Sequence, residues 1–136
     1  MGGSADHRYN LSFIVQNSVR MGSPIIGISI NYRLSAFGFI GGQEVLHAGV
    51  ANLGFRDQRL ALRWVNENIA AFGGSPDKVT IFGESSGAES VTAQVLAYGG
   101  MLIIFTPESF SLARASSPFP LNLNSSARPS TLVIRT

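Results

Sequence analysis

Two short runs of branched apolar residues, PIIGISINY at 24–32 and VTIF at 79–82, flank one long amphipathic segment, DQRLALRWVNENIAAFGG. That order constrains the fold more than any other feature of the chain. Strand, helix and strand in succession make the crossover unit of a parallel α/β sheet. In the first run Ile25, Ile26, Ile28 and Ile30 put apolar residues on both parities near its start, which suits a strand covered on both faces. In the helical segment Ala61, Trp64, Val65, Ile69 and Phe72 fall on one face. Asp57 suits its N-terminal end and Gly73 its C-terminal stop. The two strands are therefore expected to be parallel neighbours joined by a right-handed crossover.

The flanks fill in around this unit. Residues 10–21 carry Leu11, Ile14, Val15 and Val19 at helical spacing, stopped by Gly22 and Pro24. Residues 35–54, with five glycines, read as a long connection with room for one short element. SPDK at 75–78 is a turn, and a helix is expected over 86–98 with Val91 and Val95 on one side. After Gly100 the character changes: residues 101–136 hold seven serines, four prolines and one acid, Glu108. The apolar ends of this stretch, MLIIF and TLVI, have no sustained period between them, so it reads as a poorly ordered tail. The chain thus divides into 1–100 and 101–136.

Composition removes several functional classes. At 136 residues, 45% hydrophobic and 13% charged, the chain has the make-up of one globular domain. A net charge of +2 with scattered arginines gives no nucleic-acid footprint. There is no cysteine, and His7 and His47 stand among scattered acids without ligand spacing, so neither metal nor cofactor is indicated. G-x-G-x-x-G and G-x-x-x-x-G-K-[ST] are both absent. The first residues, MGGSADHRYN, lack the form of a signal peptide, and no apolar run nears the roughly 20 residues of a membrane span. The compartment is left undetermined.

Chemistry enters at Gly83-Glu84-Ser85-Ser86-Gly87, a G-x-S-x-G pattern at the point where an expected strand stops and an expected helix starts. A nucleophile elbow needs small residues on both flanks, because strand and helix cross closely beneath a serine held under strain. The serine hydroxyl then projects from the turn, and the next amide N–H faces developing negative charge. A Gly-Ser turn with no chemistry is the plain alternative. As a nucleophile the serine needs a general base, nearly always a histidine oriented by a carboxylate.

The phrases GGSADHRYN, PIIGISINYRLSAFGF, ANLGFRDQRLALRWVNENIAAFGGSPDKVTIFGESSGA and VLAYGG, in that order, make residues 2–100 resemble the type-B carboxylesterases, which include cholinesterases and related lipases. The resemblance implies a partial α/β-hydrolase fold, a mostly parallel sheet with a nucleophile elbow, truncated at both ends. It implies hydrolysis of small-molecule carboxylic esters through an acyl-enzyme, with Ser85 as nucleophile, Ser86 N–H as oxyanion donor and Glu84 as the glutamate beside the nucleophile. It also implies a buried structural ion pair between Arg33 and Asp57, where two unconnected surface charges are the alternative. Full-length relatives are often secreted.

The departures are equally specific. The family's glycine-rich oxyanion loop belongs just upstream of GGSAD, and its acid and histidine belong well after the nucleophile. After Ser85 the only acids are Glu89 and Glu108, and no histidine follows. His7 and His47 read as ordinary loop or surface residues. The expectation is an inactive or incomplete internal fragment, and the alternative is a non-catalytic truncated product or interaction module.

Overall fold

The computed structural model describes residues 3–100, 111–112 and 131–135. Helix α1, Ser12–Arg20, starts where the Asn10 side chain accepts a 2.8 Å hydrogen bond from Ser12 N–H, and the chain turns away at Gly22 with φ 67°. Strand β1, Ile25–Ser29, follows. Ser18 ties the two together: its hydroxyl donates to the Val15 carbonyl and accepts from Ile25 N–H at 3.1 Å. Leu11 and Val15 lie so close over Gly27 that a Cβ there would be 2.9 Å from Leu11 Cδ1.

The glycine-rich connection holds two short helices, α2 (Ser35–Phe39) and α3 (Gln43–His47), where one element was expected. Helix α4, Leu53–Asn68, begins a turn earlier than the amphipathic pattern suggested, continues as a 3-10 turn over Ile69–Phe72, and stops at Gly73 with φ 81°. Gly54 is needed at its start because the Phe39 ring and the Arg33 carbonyl press on that backbone. Strand β2 (Val79–Phe82) and helix α5 (Ser86–Leu96) complete the unit, followed by a 3-10 turn, Ala97–Gly100.

Among the described residues the sheet has four strands in the order β1-β4-β2-β3, with β3 at Ser111–Leu112 and β4 at Thr131–Arg135. This corrects the expectation that the strands flanking the crossover helix are neighbours. β4 lies between them, pairing Ile25 with Arg135 through Ser29 with Thr131 on one edge and Val79 with Ile134 through Phe82 with Thr131 on the other. Both pairings are antiparallel, so β1 and β2 run in the same direction, as expected, with one reversed strand between them. The parallel pairing is β2 with β3, so the ladders are not mostly parallel, although three of the four strands share a direction. The reason is that two strands flanking a gap one strand wide each leave the N–H and C=O groups of alternate residues unpaired on that edge, and a strand from far along the chain satisfies both edges at once. Of the expected tail, residues other than 111–112 and 131–135 lie outside the described residues.

The core is Leu62, Val65 and Ile69 from α4 and its closing turn, Val79 and Ile81 from β2, and Val91 from α5, with Ile26 and Ile28 against them. Of the expected helical face, Val65 and Ile69 are buried, whereas Trp64 is 47% exposed and Phe72 more so. These two rings pack on each other outside, centroids 6.0 Å apart. The buried row is Gln58, Leu62, Val65 and Ile69, at spacings of four, three and four, which is the stripe a helix presents to one neighbour.

Candidate active site

β2 buries Val79 and Ile81 and delivers the chain to Gly83, where it meets the first turn of α5. A Cβ on Gly83 would run into the Gly87 carbonyl and come within 2.8 Å of Ala88 N. Backbone cannot yield as a side-chain tip can, so this crossing requires glycine. Ser85 sits at the apex with φ 56° and ψ −122°, a conformation that costs a non-glycine residue about 1–3 kcal/mol. Its carbonyl accepts the first helical bonds, from Ala88 N–H at 2.9 Å and Glu89 N–H at 3.2 Å, and Gly87 N–H donates to Glu84 O at 2.9 Å. Ser85 and Glu84 are exposed, Ser86 opens α5, and Gly87 and Ala88 are buried beneath. The strand, the strained serine and the helix are thus assembled in the order that an elbow needs.

Neither histidine is brought to this serine among the described residues. His7 stands 3.6 Å from Asp6 near the N-terminal end, its side chain 93% exposed. His47, at the end of α3, has the Gln43 side chain at 3.4 Å. No cluster of three His, Asp or Glu residues forms among the described residues, and no helix there is long and apolar enough to cross a membrane.

Arg33 and Asp57 meet. Arg33 Nε donates to Asp57 Oδ2 at 2.8 Å, Nη2 to Oδ1 at 2.6 Å, and Arg33 N–H to Oδ2 at 3.0 Å. The Arg33 guanidinium holds the Asp57 carboxyl below its ordinary pKa, and Asp57 in turn raises that of Arg33. The side chains are 49% and 25% exposed, so the pair is a partly solvated clamp rather than a buried one. It ties the chain leaving β1 to α4.

A second tie escaped the sequence. Gln94 Nε2 donates to the Phe55 carbonyl at 2.9 Å and to Gln58 Oε1 at 3.1 Å, with both glutamines buried, and so joins α5 to α4. An isolated amide side chain has no periodic signature. The one available signal is that Gln58 falls on the buried row of α4.

With this geometry in hand, the relatives are informative. Residues 1–100 match the model of the carboxylesterase family. The chain is 46% identical over 117 residues to Lipase 2 of Geotrichum candidum, covering 85% of this chain and 21% of that lipase. It is 54% identical over 100 residues to Secreted lipase 1 of Botryotinia fuckeliana, covering 74% of this chain and 17% of that one. Among solved structures, a thermophilic PNB esterase superposes with a TM-score of 0.61 at 36% identity, covering 74% of this chain and 20% of its own. The chain therefore spans about a fifth of the length of these proteins. Across its first hundred residues, the stretch that carries the strained serine, this chain belongs to the carboxylesterase family.

Proposed function

We propose that Ser85 is the nucleophile of a carboxylic ester hydrolase, acting through an acyl-enzyme on small-molecule esters. The observation that carries this reading is the backbone of Ser85, held at φ 56° and ψ −122° between a buried strand and a helix N-terminus. In the reaction Ser85 Oγ bonds to the ester carbonyl carbon while its proton passes to a base. The oxyanion gathers charge against the Ser86 N–H, at the positive end of α5. The tetrahedral species then collapses: the carbon–oxygen bond to the alcohol breaks, the alcohol takes the proton, and water later releases the acid by the same route. Gly83 and Gly87 hold the crossing, and the Arg33–Asp57 clamp fixes α4 against the chain that leaves β1. The part of the α/β-hydrolase fold that bears the nucleophile is what these elements make up.

The base is the deciding group. His7 lies beside Asp6 and His47 beside Gln43, so among the described residues no histidine is hydrogen-bonded to the Ser85 hydroxyl to take its proton. Loss of the base costs on the order of a million-fold where a serine triad works as a unit. We therefore infer that the 136-residue chain alone turns over no ester. The same observation supports a second reading, a non-catalytic module whose elbow is inherited.

The test is hydrolysis of p-nitrophenyl butyrate near neutral pH by the parent chain and by Ser85→Ala at matched concentration. Equal, background rates are expected, with weak or no labelling of Ser85 by an organophosphorus reagent. Saturable turnover that vanishes in Ser85→Ala would overturn the inactive reading and establish the nucleophile at once.

A further inference from the structure

Away from the elbow, α4 carries Arg56, Arg59 and Arg63 on one side, at spacings of three and four. All three line a cavity of about 610 Å³ between α4, α5 and the loop after α3. Its remaining walls are mainly apolar, with Leu46, Phe55, Leu60 and Ala93 among them, and no carboxylate lines it among the described residues. Asp57, the acid on the same helix, is held by Arg33. No ion pair forms between these three arginines and any described residue.

Arg59 is the unusual member. Both of its terminal nitrogens are shut off from solvent without a hydrogen-bond acceptor, and the Tyr98 ring lies over the guanidinium, 5.1 Å from Cζ. A ring face compensates a buried cation only in part, whereas a carboxylate meets the planar guanidinium fork with two charge-assisted bonds. Tyr98 stands at the surface. It is 75% exposed and occupies the left-handed region at φ 58°, where a non-glycine residue is under strain. An exposed ring over a cation without an acceptor is a cover that a better partner can displace by rotation of the side chain alone.

We propose that this cavity binds an amphiphilic organic carboxylate, whose head displaces Tyr98 from Arg59 and whose apolar body lies along Leu46, Leu60 and Phe55. The apolar walls favour such a ligand over a small inorganic oxyanion, because each buried methylene tightens binding about fourfold. Arg63 and Arg56 add attraction from the rim. The acid released from an ester belongs to this class, but the inference does not depend on turnover at Ser85.

The test is isothermal titration of the full chain, as Ser85→Ala, with sodium octanoate below its micellar range, sodium acetate and inorganic phosphate. One-site octanoate binding is expected, with acetate at least about tenfold weaker and the Tyr98 ring protons shifting on saturation. Arg59→Gln should weaken octanoate by about tenfold or more, from the loss of a charge-assisted bidentate contact. Should that variant lose its far-UV circular dichroism, Arg59→Lys, which keeps the charge and loses the fork, should still weaken binding several-fold. Absence of saturable binding, phosphate binding as tight as octanoate, an unmoved Tyr98 ring, or affinity that survives substitution of Arg59 would each overturn the proposal. Because Ser85→Ala cannot form an acyl-enzyme, these outcomes are separate from those of the hydrolysis assay.

Discussion

β1 and β2 run in the same direction on either side of β4, yet they are supported very differently. β2 buries alternate residues, Val79 and Ile81, beneath α4 and α5, and it leads directly into the elbow. β1 is half-buried along its whole length, covered on one side through Leu11 and Val15 of the α1 region. Ser18 also reaches β1, but the remaining apolar residues point away, with Phe13 70% exposed, Val19 outward and Met21, just after the helix, outward too. The difference teaches where precision is kept. A strained serine persists only where its surroundings over-determine it, and the strained serine here hangs from the better-packed strand.

Matched truncations should break or sharpen this contrast. Ile81→Ala removes a side chain that is 5% exposed and should cost about 3–4 kcal/mol in urea denaturation, as large-to-small changes in a core do. Ile28→Ala, on half-buried β1, should cost about half as much. Equal losses would mean that β1 is as firmly packed as β2. Next in size comes the crossing at the elbow. Gly83→Ala forces a methyl into the Gly87 backbone and should cost about 2–3 kcal/mol. Gly41→Ala, with nothing within 4 Å of the added Cβ, should be near neutral. A tolerated Gly83→Ala would show that strand and helix do not cross closely there.

The Arg33–Asp57 clamp links the two sides and should show in the acid limb. The folded-state pKa of Asp57 lies below its unfolded value, so its contribution is present above the ordinary carboxylate range. That contribution is lost as pH falls through the lowered value. Asp57→Asn should therefore flatten the decline of the urea midpoint as pH falls through and below the ordinary carboxylate range, relative to the parent. An unchanged acid limb would mean that the clamp does not hold the halves together. The smallest effect belongs to the outer side of α1: Phe13→Ser should alter stability by no more than about 0.5 kcal/mol. A larger loss would place Phe13 in a contact and weaken the account of β1 as the thinly covered strand.

Much of this was readable from local pattern. VTIF followed by GESSG announces a buried strand ending in a tight turn, because branched residues and small residues act within a few positions of themselves. Gly73 as the stop of α4 was equally local, and so were Gly22 and Pro24 after α1. Other features were not. The apolar face drawn through Trp64 and Phe72 is a correct helical stripe, yet the side that packs runs through Gln58, Leu62 and Val65. Periodicity marks a wide apolar arc, and the sheet beneath selects which part of it is buried.

By itself, then, the sequence determined the succession α1, β1, α4, β2 and α5 and the place of the candidate nucleophile, since these follow from spacings of two, three or four residues. It did not determine the second short helix before α4, nor the strands β3 and β4. Tertiary structure alone decided that Thr131–Arg135 stands between β1 and β2, and that Arg59 is enclosed under Tyr98. It also decided that neither histidine is brought to Ser85. Strand pairing joins backbone edges a hundred residues apart, and every residue carries the same backbone donors and acceptors whatever its side chain. The burial of a charge depends on what packs around it, which no local pattern records.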